Sequence, residues 1–197
     1  MKKFLGFLGN EFLLGTLIAL LSVLTALASY QGALAGGKQN DYEIEGMKSL
    51  NDGNAEYLTS NQEITQDYSY YDTWYINQET NPDIADYFQA EFSDELLDAI
   101  ERSGSENPFD EEYYNAKYQI PSEYFDESDI NFETAGDWNE RGDQLQLVLT
   151  IMAIGLAFAA WASLMKEESN LRVFFSLFAI ITLLIGLITY LSVPVIG

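Results

Sequence analysis

Cysteine and histidine are both absent from this sequence of 197 residues. Without cysteine there is no disulfide to brace a domain, so packing alone must hold any part outside a membrane. Without histidine the chain cannot itself supply a Ser-His-Asp triad, a histidine or cysteine zinc site, or an imidazole ligand to haem. We therefore predict that the protein is not an enzyme, with no catalytic residue and no cofactor.

Basic residues are scarce as well, with nine Lys and Arg against 31 Asp and Glu. The segment 31–143 holds 28 of the acidic residues and has a net charge of −23, whereas the remainder of the chain sums to +1. The basic residues of this segment are Lys38, Lys48, Arg102, Lys117 and Arg141. This partition predicts one acidic, water-facing domain. Its negative charge disfavours the binding of nucleic acid and of anionic lipid.

Three long runs contain no charged residue: 12–30, 145–165 and 173–193. As α-helices, each would extend over about 30 Å, which is the thickness of the hydrocarbon core of a bilayer. The fold class predicted is an all-α membrane protein with three transmembrane helices and an acidic, mainly helical domain between the first and the second. The absence of charge within the runs argues against a transporter or a channel formed by this chain alone.

The predicted organisation has seven parts along the chain. They are a cytoplasmic or interfacial N-terminus (1–11), transmembrane helix 1 (12–30), an acidic extracytoplasmic domain (31–143), transmembrane helix 2 (144–165), a cytoplasmic loop (166–172), transmembrane helix 3 (173–193) and an extracytoplasmic tail (194–197).

The first run has two interpretations. Lys2 and Lys3 before it, and small residues at Ala26-Leu27-Ala28 or Ala33-Leu34-Ala35, are also typical of a cleavable signal peptide. Its apolar stretch is longer than the usual 7–15 residues, which favours a retained signal anchor.

The orientation follows from the cations near the ends of the spans. Lys2, Lys3, Lys166 and Arg172 lie on one side if three spans are crossed, and basic residues favour the cytoplasmic side. We therefore predict a bacterial inner-membrane protein whose N-terminus is cytoplasmic and whose segment 31–143 and C-terminus are extracytoplasmic. Lys38 and Arg141 lie near the outer ends and weaken this argument without reversing it.

Two rows of residues after Met47 repeat every seven positions, which predicts a helix over 47–79 that pairs with another helix. One row is Leu50, Tyr57, Ile64 and Tyr71, and the other is Asn54, Asn61, Tyr68 and Tyr75. We expect a helix-pairing or partner-docking face at Leu50, Tyr57, Ile64, Tyr68, Tyr71, Trp74 and Tyr75, although packing within the domain's own core is an alternative for the tyrosine cluster.

Glycine and proline predict where the helices are interrupted. Gly36-Gly37 is a candidate hinge, and Asn81-Pro82 predicts a helix that ends at Gly104. Asn107-Pro108 predicts a shorter helix to about Tyr118, ended by Pro121. We expect a connecting loop or one helical turn over 121–130. From Asn131 the helical spacing continues directly into the second span.

Asp41, Glu43, Glu45 and Asp52 follow the spacing of a calcium loop imperfectly. Glu is unusual at two of these positions, so they are candidates for no more than loosely bound Ca²⁺ or Mg²⁺, and no specific metal site is assigned. Within the membrane, small residues can let helices approach closely, either among the three spans or with another subunit. These residues are Ala153, Gly155, Ala157, Ala159 and Ala160.

The stretch 135–147, AGDWNERGDQLQL, which leads into the second span, resembles uncharacterised bacterial three-span membrane proteins. These have an N-terminal anchor, a helical extracytoplasmic insert and a C-terminal helical hairpin. The resemblance implies a topology and no mechanism.

Two functions remain open from the sequence. The first is a non-enzymatic accessory or scaffold subunit whose acidic outer domain docks partner proteins, either other subunits of a membrane complex or copies of itself. The second is a divalent-cation-responsive sensor or buffer, since a strongly acidic surface concentrates counter-ions.

Overall fold

The structure is a computed structural model that describes residues 10–104 and 107–196, and helices account for most of them. The helices of the described residues are α1 (Glu11–Asn77), α2 (Pro82–Gln89), α3 (Asp94–Ser103), α4 (Glu111–Lys117), α5 (Gln119–Leu164) and α6 (Asn170–Ser192). No strand occurs in these residues, which confirms the all-α prediction. The predicted N-terminal segment, including Lys2 and Lys3, lies almost entirely outside the described residues.

Three helices, α1, α5 and α6, are long and apolar enough to cross a membrane. Their length and composition agree with the coarse prediction of a multi-pass membrane protein with three candidate spans. The long α5 also confirms that helical structure continues from Asn131 into the second apolar run.

The chain divides into two compact units. One, which we call the terminal unit, consists of Met1–Glu43 and Glu133–Gly197, of which residues 10–43 and 133–196 are described. The other, which we call the insert unit, is Ile44–Phe132 and carries 22 acidic residues against three basic ones. Helices α1 and α5 contribute to both units.

The terminal unit has an apolar core contributed by α1, α5 and α6. Its buried members are Leu14, Leu17, Leu21, Ala28, Val148, Met152, Ala159, Ala162 and Ala179. Large apolar side chains such as Leu20, Val23, Leu184 and Ile188 point outward instead. A helix bundle that is apolar both inside and outside is typical of a segment surrounded by lipid.

The small residues predicted to pack in the membrane fall into two groups. Gly155 and Ala159 are buried, whereas Ala153, Ala157 and Ala160 are exposed. A Cβ atom added at Gly155 would lie 3.0 Å from Leu21 Cδ2 and 3.2 Å from Thr182 Cβ, so all three helices approach closely there. Contact of the three exposed alanines with another subunit stays a prediction.

Arg172 ties the α5–α6 turn together. Its Nη1 donates a 2.8 Å hydrogen bond to the carbonyl oxygen of Met165, next to the C-terminus of α5, where a cation complements the helix dipole. Among the described residues, Nε and Nη2 of this buried side chain have no hydrogen-bond partner. The residue that helped to predict the orientation therefore also caps a helix.

Several predicted helix boundaries are wrong. Helix α1 runs through Gly36 and Gly37 without a break, because glycine weakens a helix by about 1 kcal/mol but keeps both backbone hydrogen-bonding groups. The helix predicted from Pro82 to Gly104 is divided in two, since Ser93 caps a new helix by accepting a hydrogen bond from the Leu96 N–H. The predicted start at Asn81-Pro82 and the end at Gly104 are confirmed.

The region around Pro121 also differs from the prediction. Asp110, and not Asn107, caps α4, because its carboxylate accepts the Tyr113 N–H at 2.9 Å. Pro121 lies in the first turn of α5, where its missing N–H costs no intrahelical hydrogen bond. The connection predicted over 121–130 is therefore helix.

Candidate functional site

The insert unit is organised around a stripe of buried residues on α1. The stripe consists of Gly46, Ser49, Gly53, Ser60, Ile64, Asp67 and Tyr71. Its spacings of three, four and seven residues keep one face of the helix turned inward. Most of the residues are small, and one is charged, so the stripe differs from the predicted rows of large side chains.

The glycines of the stripe accommodate aromatic rings from α5. A Cβ atom at Gly46 would lie 3.0 Å from the Phe132 ring, and one at Gly53 would lie 2.9 Å from the Phe125 ring. Each ring therefore packs directly on the backbone of α1. Beside them, the Ser128 hydroxyl donates a 2.9 Å hydrogen bond to the Gly46 carbonyl.

Further along the stripe, a buried lysine meets three carboxylates. Lys117 Nζ lies 2.8 Å from Glu95 Oε2, 3.3 Å from Glu63 Oε2 and 3.5 Å from Asp67 Oδ2. The side chain of Lys117 is only 2% exposed and that of Asp67 only 4%. The cluster joins α1, α3 and the end of α4, which are distant in sequence.

Asp67 receives more hydrogen bonds than the lysine alone provides. The Ser93 hydroxyl donates to Oδ2 at 2.6 Å, the Ser93 N–H to Oδ1 at 3.3 Å, and the Tyr113 hydroxyl to Oδ2 at 2.8 Å. A buried carboxylate is tolerated when it is paired and fully hydrogen-bonded. The Ser93 hydroxyl, which caps α3, and the Tyr113 hydroxyl of α4 therefore both donate to the same oxygen, Asp67 Oδ2.

The network shifts the pKa of its members. Burial acts to lower the pKa of Lys117, but the hydrogen bond with Glu95 and the charges of Asp67 and Glu95 outweigh it, and the pKa is raised. Partial burial acts to raise the pKa of Glu95, yet the hydrogen bond and charge of Lys117 outweigh it, and the pKa is lowered. Burial and the hydrogen bond to Asp67 raise the pKa of Tyr113. The first two shifts favour a charged Lys117 beside an ionised Glu95, and the third keeps the Tyr113 hydroxyl protonated as a hydrogen-bond donor to Asp67.

The sequence patterns do not single out this network. They include Lys117 only as a cation, and they do not include Asp67, Ser93 or Glu95. Two signals were available: Asp67 lies at helical spacing between Ile64 and Tyr71, and Ser93 is followed by two acidic residues, which is typical of a helix N-terminus.

Aromatic rings fill most of the core of the insert unit. Tyr71 packs edge-on against Phe109 with ring centroids 5.3 Å apart, and Trp74 does so against Phe92 at 5.7 Å. The buried members of this core are Ile64, Tyr71, Phe92, Leu96, Ala99 and Tyr113. Since the chain has no cysteine, packing of these aromatic residues, and not a disulfide, holds the insert unit together.

The face predicted for helix pairing or docking is divided by this arrangement. Ile64 and Tyr71 are buried within the same chain, and Trp74 is half-buried. The other four residues are 39–57% exposed: Leu50, Tyr57, Tyr68 and Tyr75. The core-packing alternative applies to the first group, and docking remains a prediction for the second.

Two of the exposed tyrosines are held by neighbouring rings. Tyr57 stacks on Tyr118 with centroids 5.2 Å apart, and Tyr68 stacks on Phe109 at 3.9 Å. The hydroxyls of Tyr68 and Tyr114 are hydrogen-bonded to each other, which together with burial raises the pKa of Tyr114 to about 12. These exposed rings are consequently fixed in position.

The calcium-loop candidates Asp41, Glu43, Glu45 and Asp52 all lie on α1. Neighbouring positions on a helix point in different directions, whereas a calcium loop must fold its ligands around one ion. Across the described residues, no group of three or more acidic side chains is arranged to hold a metal ion. Where three carboxylates do converge, the Lys117 ammonium lies between them.

The acidic cluster at 110–112 has a structural role in the fold. Arg102 Nη2 lies 2.7 Å from Asp110 Oδ1, and its Nε lies 3.1 Å from Glu112 Oε2. The hydrogen bond from Arg102 is the main cause that lowers the pKa of Asp110. The carboxylate caps α4 at the same time, so it connects the end of α3 to the start of α4.

Fold and site together define a class: an all-α chain with three helices able to cross a membrane and a compact acidic insert unit. No protein-family model, curated protein or solved structure matches the chain. The three apolar helices agree with the topology implied by the resemblance to three-span membrane proteins, and the agreement does not extend beyond topology.

Proposed function

We propose that this protein is an accessory or scaffold subunit of a membrane assembly, anchored by α1, α5 and α6, whose insert unit docks a partner protein outside the cytoplasm. In this proposal the insert unit performs no chemistry. Its function is to present an exposed, largely aromatic surface to that partner.

The observation that carries the proposal is the exposed part of the α1 face. Leu50, Tyr57, Tyr68 and Tyr75 remain 39–57% exposed, while Ile64 and Tyr71 on the same helix are locked into the core. Tyr57 and Tyr68 are already held by neighbouring rings, and large side chains that are already fixed lose little entropy when a partner covers them, as at binding hot spots.

Charge indicates the kind of partner. The insert unit has 22 acidic and three basic residues. Within the Debye screening length it therefore repels other acidic surfaces and attracts basic ones. We therefore expect a partner whose contact surface is apolar at its centre and basic at its rim.

The state of Lys117 supports a non-enzymatic role. A nucleophilic lysine needs a lowered pKa, which an apolar pocket or a neighbouring cation provides. In this network the carboxylates of Glu63, Asp67 and Glu95 raise the pKa and hold the ammonium in place. The buried amine thus stabilises the fold and is a poor nucleophile.

The test compares two variants of the full chain after gentle extraction from native membranes. Leu50→Ser with Tyr75→Ser removes two exposed members of the face, and Leu58→Ser removes another exposed apolar side chain of α1 outside it. Native electrophoresis should show the wild type and Leu58→Ser in a complex with a second protein, and at least a tenfold smaller fraction of the double variant in that complex.

Either of two results would overturn the proposal. One is a wild-type chain that migrates as a lone monomer under every gentle extraction. The other is an equal loss of the complex in Leu58→Ser, which would show that the effect comes from general surface polarity and not from this face.

A further inference from the structure

A cavity of about 510 Å³ in the terminal unit is lined by residues of α1 and α5. On α1, the side chains at 31, 34, 38 and 41 follow one another at spacings of three and four residues and so share one face. On α5, Trp138 and Arg141 share a face in the same way. Ala33, Leu34 and Ala35 add apolar surface to the lining.

The two cations of this cavity differ from the other three in the acidic segment. Lys48, Arg102 and Lys117 are each paired with at least one carboxylate. No ion pair joins Lys38 or Arg141 to a carboxylate within residues 10–104 and 107–196. Arg141 does donate a hydrogen bond to the carbonyl oxygen of Pro194.

Among the described residues, the two cations of the segment 31–143 that lack an ion pair therefore line the same cavity, and one acid, Asp41, lines it with them. The local charge of the lining is +1, although the surrounding segment 31–143 has a net charge of −23. A cavity whose lining combines apolar side chains, a tryptophan and two cations is complementary to an anion with an apolar tail.

The place of the cavity along the chain indicates the source of such an anion. Residues 31–41 directly follow the apolar run 12–30, and residues 138–141 directly precede the run 145–165. In a membrane-spanning chain this is the depth of the lipid headgroups, where Trp side chains and basic residues contact phosphates.

We propose that this cavity binds an anionic phospholipid, with the phosphate between Lys38 and Arg141 and the start of an acyl chain along Leu34 and Trp138. The proposal rests on α1 and α5 crossing the membrane and is independent of partner docking. It departs from the expectation that the acidic segment disfavours anionic lipid, because local charge and not net charge decides binding at a cavity.

The first experiment counts lipids bound to the detergent-purified full chain by native mass spectrometry, with phosphatidylglycerol and phosphatidylcholine offered in equal amounts. We expect phosphatidylglycerol to be retained preferentially. Lys38→Gln should reduce its affinity about fivefold, because a single cation near anionic lipid contributes about that factor. Asp41→Asn should increase the affinity, since it removes the only acid of the lining.

Lys48→Gln is the matched control, because it removes one positive charge from the insert unit, where the lysine is exposed and paired with Glu45. Its lipid binding should equal that of the wild type. If Lys48→Gln and Lys38→Gln weaken binding equally, or if phosphatidylcholine binds as well as phosphatidylglycerol, the proposal is wrong. Equal melting temperatures of the variants would show that each one is folded.

A second arm distinguishes a lipid from a soluble phosphate. Inorganic phosphate and glycerol 3-phosphate are titrated against the delipidated chain, and bound lipid is then measured in their presence. The proposal predicts that neither displaces phosphatidylglycerol at millimolar concentration, because neither has an apolar tail to cover Leu34 and Trp138. Displacement by inorganic phosphate would overturn the assignment to a lipid.

Discussion

Single residues decide the stability of the insert unit at the Lys117 network. Removing one partner of a buried ion pair leaves the other charge without compensation, which typically costs about 3–5 kcal/mol. We expect Lys117→Met to lower the free energy of unfolding by this amount because it leaves Asp67 buried beside an apolar side chain. Denaturant unfolding followed by tyrosine and tryptophan fluorescence measures the change.

Two further variants make this prediction specific. Lys48→Met removes an exposed lysine with a single ion pair and should change stability by no more than about 1 kcal/mol. Adding Asp67→Asn to Lys117→Met should restore part of the loss, because a neutral amide needs no counter-ion. Equal losses in Lys48→Met and Lys117→Met would contradict the role of burial.

The same network determines how stability varies with pH. The pKa of Glu95 is lowered, so its contribution is complete above about pH 5 and is lost as the pH falls through the folded value. The pKa of Lys117 is raised, so its contribution is complete below about pH 10 and is lost as the pH rises through the folded value. Melting temperatures should therefore fall at both ends, and Lys117→Met should show a shallower alkaline fall than the wild type.

At the scale of the helix, α1 and α5 pack through glycine in the insert unit. Gly53→Ala adds a Cβ atom 2.9 Å from the Phe125 ring, and overpacking of this kind costs about 1–3 kcal/mol, which exceeds the gain of up to about 1 kcal/mol in helix propensity. Gly136→Ala is the matched control, since nothing lies within 4 Å of its added Cβ. Thermal melts should show Gly53→Ala destabilised and Gly136→Ala unchanged or slightly stabilised.

Helix ends show how far local sequence signals reach. Asn81-Pro82 and Gly104 were predicted correctly, because proline suits the first helical position and glycine readily adopts the φ of 78° found at the helix end, while the Asn81 side chain makes no capping hydrogen bond. The prediction at Pro121 was wrong, since proline is tolerated both in the first turn of a helix and just after a helix. Only the residues that pack around a proline decide between these positions.

At the scale of the whole molecule, the orientation of the three spans can be measured directly because the chain has no cysteine of its own. We expect Glu101→Cys, in α3, to react with a membrane-impermeant maleimide in intact cells. Glu167→Cys, in the turn between α5 and α6, should react only after lysis. Both side chains are exposed, so access and not burial governs the reaction. The reverse pattern would show that the proposed topology is inverted.

The sequence by itself determined the class of fold and the partition of charge. Runs of about 20 apolar residues predict spans without any knowledge of their neighbours, because the thickness of the bilayer sets the required length. The separation of acidic from apolar segments is likewise a property of composition, and no tertiary contact is needed to read it.

Only the tertiary structure decided which residues meet. Asp67 and Lys117 lie 50 positions apart, and Lys38 and Arg141 lie 103 positions apart, so no local spacing relates them. The predicted rows favoured large side chains, whereas the buried stripe uses Gly46 and Gly53, because rings from α5 occupy the space that their missing side chains leave. Burial depends on what a partner helix brings to the contact, and that information lies elsewhere in the chain.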